Sequence, residues 1–155
     1  MNLKKNIILL TRKLPQKIEE KLQKEYTVIA NKSDKKYTYA ELKKKVSDID
    51  ILVPCISDTI DASIIKAAKR LKLISNFGNG VDNLDLVTAK ENNIIVTNTP
   101  DVLTEDTADL VLTMILMISR KVLEAQKDLV NGNWSGWGPS ETMGTRVRGK
   151  KVGIL

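Results

Sequence analysis

The first hundred residues alternate short apolar runs with stretches whose apolar positions recur three and four apart. The runs are Ile7–Leu10, Thr27–Ala30, Ile49–Val53, Lys72–Ser75 and Ile94–Thr97, and they predict a series of short strands. Between them, Pro15–Glu25 predicts a helix that starts at Pro15 and carries Ile18 and Leu22 on one face. Tyr39–Val46 predicts a second helix with Leu42 and Val46 inward. Asp61–Arg70 predicts a third, with Ile64, Ile65, Ala67 and Ala68 as its apolar stripe, and a short fourth is expected around Leu86–Glu91. Strands alternating with helices at this spacing imply βαβ units, hence a parallel sheet covered on both faces. The expected fold class is α/β, a flavodoxin-like doubly wound parallel sheet.

Beyond Pro100 the pattern changes. Thr104 is the expected N-cap of a helix whose first turn carries Glu105 and Asp106. The periodicity predicts one long helix over about 105–130, stopped by Asn131-Gly132. Its middle, Leu110–Ile118, is apolar all round apart from Thr113, so this helix is expected to lie between two bodies, either domains or subunits. An irregular stretch with Trp134 and Trp137 follows, and Lys150–Leu155 reads as the opening strand of a further sheet. A sheet is not built from its first strand alone, so the sequence is expected to be truncated there.

Composition narrows the function classes. The chain has 155 residues, 42% hydrophobic and 28% charged, the balance of an ordinary globular protein. The net charge of +6 invites a nucleic-acid reading, but the lysines of Lys4–Lys45 are interleaved with Glu19, Glu20, Glu25, Asp34 and Glu41 and no aromatic residues alternate with them. They read as the wet faces of amphipathic helices, and no nucleic-acid partner is expected. Leu110–Ile118 is far shorter than the roughly 20 residues of a membrane span, so no membrane association is expected either. Cys55 is the single cysteine, which suits a cytoplasmic location. With no histidine in the chain to activate it, Cys55 is expected to be a buried thiol. No metal site is expected.

Two segments carry candidate chemistry. Ser75-Asn-Phe-Gly-Asn-Gly-Val-Asp-Asn-Leu-Asp85 follows a predicted strand, which places it at a carboxyl edge of the sheet, where ligands bind in doubly wound folds. Gly78 and Gly80 are expected to let the backbone turn sharply and to expose amide N–H groups suited to a small anion such as a carboxylate. A plain βα turn is the simpler account of the same spacing. In Val96-Thr-Asn-Thr-Pro-Asp-Val-Leu-Thr-Glu-Asp-Thr-Ala-Asp-Leu110, Thr104 and Thr107 flank the start of the long helix, either as caps alone or beside free N–H groups that could meet phosphate or amide oxygens.

These segments, with Asn131-Gly-Asn-Trp134 and Gly149-Lys-Lys-Val-Gly-Ile-Leu155, resemble in the same order the motifs of the D-isomer-specific 2-hydroxyacid dehydrogenases. The Asn98–Thr104 stretch is most similar to glyoxylate and hydroxypyruvate reductases. The resemblance implies a substrate-binding domain over 1–99 and the start of an NAD(P)-binding Rossmann domain over 100–155. The helix at about 105–130 would then be an interdomain and dimerisation helix, and 150–155 a first strand. It implies that the Asn79 and Gly80 amides hold the carboxylate of a small 2-oxo acid and that Ile56 and Ser57 close over it. It also implies that Asn79 and Thr107 approach the nicotinamide, and that the protein is a homodimer. The substrate implied is glyoxylate or hydroxypyruvate, reduced to the D-2-hydroxy acid, with 3-phosphoglycerate or D-lactate as alternatives within the family.

The sequence departs from the family pattern in two ways. Position 79 is more often small or apolar, and the glycine-rich loop, the catalytic arginine, its acidic partner and the histidine do not occur. No catalytic residue is therefore assigned in this chain. NAD or NADP is expected to serve a full-length enzyme, with none bound by this chain, which alone is expected to be inactive. The alternative is a non-catalytic flavodoxin-like module that binds a small anion, a partner or a second copy of itself.

Overall fold

A computed structural model describes residues 5–154. The chain divides into two compact units, with the boundary between Val102 and Leu103.

The first unit is a five-stranded, wholly parallel sheet. Its strands are β1 (Ile7–Leu10), β2 (Thr27–Ile29), β3 (Ile51–Val53), β4 (Leu73–Ser75) and β5 (Ile95–Thr97), in the order β2-β1-β3-β4-β5. The helices α1 (Gln16–Glu25), α2 (Tyr39–Lys45), α3 (Ala62–Ala67) and α4 (Leu86–Glu91) alternate with them, and a 3-10 turn covers Val46–Asp48. This is the doubly wound order expected of the strand–helix rhythm.

Leu9, Leu52 and Ile74 are partners across β1, β3 and β4, and all are fully buried. They meet Leu42, Val46, Ile64, Ile65, Ala68 and Ala89 from α2, the 3-10 turn, α3 and α4, and this is the core. The stripe foreseen on the third helix is therefore the one that packs, although that helix ends at Ala67, where Ala68 leaves helical geometry. Partners on the opposite face, Ile51, Leu73 and Ile95, grade from half-buried to 64% exposed at Ile95. Cover on both faces was expected, and the topology divides that cover unequally. The chain reverses direction after β2, so right-handed crossovers send α1 to one face and α2, α3 and α4 to the other. α1 buries no residue fully, and Ile18 on its expected inner face is 47% exposed.

Local capping agrees with the sequence. Thr38 and Glu41 form a reciprocal capping box at the start of α2, and Asp61 and Asp85 cap α3 and α4 through the Ile64 and Thr88 amides. At the amino edge of the sheet the buried Asp50 carboxylate accepts from the Ile7 amide at 2.9 Å and from Arg70 at 2.8 and 3.0 Å. The Lys72 ammonium stands 3.3 Å away.

The second unit departs from expectation in three places. The single long helix is two: α5 (Thr104–Ser119) and α6 (Val122–Val130). Lys121 between them adopts a left-handed conformation (φ 53°), and the Ser119 carbonyl accepts from the Thr145 amide. A Cβ on Gly144 would meet the Arg120 Cα at 2.6 Å, so the incoming 144–145 backbone occupies the break. Thr104 is the first helical residue of α5, and Leu103 holds the cap position without a side-chain cap bond. Residues 150–154 form no strand, because a strand exists only by pairing, and Leu155 lies outside the described residues. The end of α6 is as foreseen. Gly132 takes φ +70°, and the Asn133 amide returns to the Asp128 carbonyl at 2.8 Å.

Candidate functional site

The carboxyl ends of β3 and β4 run on into two loops that are zipped together. The Phe77 amide donates to the Pro54 carbonyl at 2.8 Å, Cys55 bridges Phe77, and Asn83 donates to the Cys55 carbonyl at 3.3 Å. Gly78 is needed here for space. Its φ is not positive, but a Cβ there would lie 2.1 Å from the Ile56 Cγ2. Ile56 of the first loop therefore rests directly on the backbone of the second, with 63% of its surface exposed, and Ser57 beside it is exposed. Gly80 has room: the nearest atom to its imagined Cβ is an Asp82 carboxylate oxygen at 3.8 Å. The backbone bends at Gly78 and Asn79, and neither glycine takes a positive φ there.

Beneath the loop lies an amide pair, one member buried and one part-buried, that the sequence reading passed over. Asn76, 1% exposed, donates to the Gly80 carbonyl at 2.8 Å, and the Asn76 and Asn83 side chains exchange bonds of 3.2 Å. The signal was present in the run Asn76, Asn79, Asn83, but asparagine in a loop ordinarily reads as turn chemistry.

The amides of this loop divide into two groups. Those of Asn76, Phe77 and Gly78 donate to Thr97, Pro54 and Asn76 carbonyls. Among the described residues the amides of Asn79 and Gly80 donate to no protein acceptor, and both residues are exposed. The Asn79 side chain is already engaged, since its Oδ1 accepts from the Asp101 amide at 3.1 Å. Only its backbone is left for a ligand. Thr107 belongs to the second unit, on the exposed first turn of α5, where its amide closes the helix onto the Leu103 carbonyl.

On the β1 side of the Cys55 loop is a cavity of about 220 Å³ lined by Thr11, Arg12, Asp34, Pro54, Cys55 and Phe77. Cys55 is part-exposed here rather than buried, because Pro54 ends the strand and turns the thiol to the loop edge. Arg12 is partly engaged already. Its Nε donates to Asp34 at 2.9 Å, which raises the guanidinium pKa and lowers that of the carboxyl, and Asp34 also takes the Lys13 amide. The second unit holds an apolar cavity of about 290 Å³ lined by Ala125, Leu129, Trp134 and Trp137. Its charged lining groups, Asp128 and Glu141, are acidic and would repel a carboxylate, so the 76–83 loop is the better anion site.

A doubly wound parallel sheet with a free amide pair on a βα loop at its carboxyl edge defines an α/β protein with the loop where ligands bind in such folds. The model of the D-isomer specific 2-hydroxyacid dehydrogenase catalytic domain matches residues 8–148, and the chain belongs to that family. A glyoxylate reductase of Thermococcus onnurineus is 36% identical over 152 residues, which are 96% of this chain and 46% of the relative. A solved Thermus thermophilus protein superposes with a TM-score of 0.82 at 38% identity, over 90% of this chain and 45% of that one. The NADPH-dependent glyoxylate/hydroxypyruvate reductase of Sinorhizobium meliloti, solved with NADP and malonate, gives a TM-score of 0.68 at 27% identity, over 84% and 39%. The chain thus spans about half the length of the relatives it matches.

Proposed function

We propose that this chain is the substrate-binding portion of an NAD(P)H-dependent reductase that converts glyoxylate or hydroxypyruvate to the D-2-hydroxy acid. The observation that carries the reading is the exposed Asn79 and Gly80 amide pair without a protein acceptor. Two backbone donors side by side at a carboxyl edge match a carboxylate, which accepts several charge-assisted hydrogen bonds. Ile56, resting on Gly78 with most of its surface open, would shield the bound acid on one side with Ser57 beside it. The likeness to glyoxylate reductases over 96% of the chain supports the substrate class.

The residues proposed toward the nicotinamide fit it in part. The Asn79 side chain is committed to Asp101 and its backbone amide is proposed for the carboxylate, so Thr107 is what remains for that role. A bound nicotinamide would supply the hydride, and this chain supplies the grip on the acid. It contains no histidine, and no arginine lies in the loop, so proton transfer is proposed to need residues beyond those present. The domain division at 99/100, a homodimer built on α5 and a cytoplasmic location belong to the same proposal. Among the described residues no helix is long and apolar enough to cross a membrane.

The test is titration of the ¹⁵N-labelled chain with glyoxylate. Saturable shifts centred on the Asn79 and Gly80 amides are expected, with acetamide, which has no charge, giving none. Shifts scattered over the lysine-rich helices, or none at millimolar glyoxylate, would sink the reading. NADH mixed with the chain and glyoxylate is expected to stay reduced.

A further inference from the structure

The two free amides do not stand alone, because each shares a peptide plane with a carbonyl that is already held. The Asn79 N–H belongs to the peptide of the Gly78 carbonyl, which accepts from the Thr99 amide at 3.0 Å. The Gly80 N–H belongs to the peptide of the Asn79 carbonyl, which accepts from the Asn98 side-chain Nδ2 at 2.7 Å. A trans peptide is planar, so fixing the direction of its C=O fixes the opposite direction of its N–H. Both acceptor bonds come from one segment, Asn98–Thr99. That segment is tied back a third time, by the Asp101 amide to the Asn79 Oδ1. Asp101 sits at φ 60°, a conformation that costs a non-glycine residue on the order of 1 kcal/mol and persists only when held. One residue beyond it, after Val102, the second unit begins.

We infer that Asn98 and Asn79 are positioning residues that latch the link between the two units onto the anion loop, so that the link sets the aim of the amide pair. Traffic runs both ways. An anion that pulls on the two N–H groups polarises their peptides and strengthens the bonds from Thr99 and Asn98. Occupancy is thereby read out at the link as a tighter Asp101, and a change in the link is read out at the loop as altered affinity. Asparagine at position 79, where a small or apolar residue cannot reach the Asp101 amide, gives this chain the third tie.

The latch itself is tested without ligand, and only its consequence rests on the carboxylate reading. Asn98→Ala removes an exposed side chain, so the fold should survive, as its amide spectrum would show. In the free labelled chain this variant is expected to move the Asn79 carbonyl carbon and the Gly80 amide well beyond the rest of the loop and to speed exchange at Asp101. Asn79→Ala should speed exchange at Asp101 while leaving the Asn79 carbonyl bonded. If neither variant disturbs these signals, the latch is overturned whatever the ligand does. With glyoxylate present, Asn98→Ala should bind about fivefold more weakly, the size of one net hydrogen bond, and ligand-induced shifts at Thr99 and Asp101 should vanish. Binding to wild type that leaves Thr99 and Asp101 unmoved overturns the coupling. A free-chain response without any glyoxylate binding upholds the latch and removes the carboxylate reading instead.

Discussion

The Ile56 Cγ2 occupies the place, 2.1 Å away, where a side chain at Gly78 would begin. Ile56 is β-branched and stiff at its first torsion, so it cannot swing aside without strain. Gly78→Ala should therefore destabilise the first unit by about 1–3 kcal/mol, the usual cost of forcing a methyl into filled space. Ile56→Ala is mostly a surface change and should cost little. The double variant should recover most of the Gly78→Ala loss in urea unfolding followed by circular dichroism. A double variant no more stable than Gly78→Ala would show that the contact is not what excludes the methyl.

Asp50 is expected to make stability depend on pH at the acidic end. Burial raises its pKa, but the Ile7 amide, Arg70 and Lys72 together outweigh burial and leave it below the ordinary value. A carboxyl depressed in the folded state stabilises fully above its unfolded pKa, about 3.9, and that contribution is lost as the pH falls through the folded value. The Asp50→Asn chain should be less stable than wild type at pH 7 by about 1–3 kcal/mol, the range for a disrupted buried polar group. The gap should close below pH 4. Thermal melts of both chains from pH 3 to pH 7 give the comparison, and a gap that stays constant would remove the ionised carboxylate from the account.

The fold was legible because its core elements obey local rules. Leu9, Leu52 and Ile74 lie in short apolar runs, and Ile64, Ile65 and Ala68 in a helical stripe, so period and burial agreed. The break at Arg120–Lys121 was not legible, since Arg120-Lys121-Val122 continues the helical pattern without glycine or proline. What ends α5 there comes from residues 144–145, more than twenty positions on, where Gly144 alone permits the approach. At the site, the motif located the loop, but the reasons given for its glycines were local. The structure replaces them with a contact from Ile56, far in sequence, and with an asparagine pair whose roles depend on burial. Cys55 was misjudged for a like reason: the stop at Pro54 could be read, but not that the residue after it lies beside a cavity.

The Asn76–Asn83 pair gives a pH dependence of the opposite sign to that of Asp50. Asn76→Asp replaces the two-hydrogen donor to the Gly80 carbonyl and the Asn83 amide oxygen with an acid that can donate to one of them, and only when protonated. Burial at 1% exposure also favours the neutral form, so the folded pKa of the introduced carboxyl is expected to be raised. Its stabilising contribution is then present below the unfolded value of about 3.9 and lost as the pH rises through the folded one. The variant should come nearest to wild-type stability at about pH 4 and fall behind by a further amount of about 1–3 kcal/mol at pH 7, the cost of a buried group left unsatisfied. Loss of stability that is uniform in pH would mean that packing, not protonation, is at fault.

α5 should set the state of association. Leu110, Val111, Leu112, Met114, Leu116 and Ile118 are each at least half exposed, a continuous apolar surface that water does not tolerate on a lone chain. A closed twofold pair, in which the same patch meets itself, is the simplest cover and is the homodimer proposed above. Light scattering after size exclusion should then give twice 17.3 kDa at micromolar concentration. Leu112 and Leu116 are one helical turn apart on the same side of α5. Leu112→Glu with Leu116→Glu should place two carboxylates in that interface and return the mass to 17.3 kDa, with the helix content unchanged. A wild-type chain that is monomeric at every concentration would rule out the self-association. A dimer indifferent to both glutamates would place the interface on another surface.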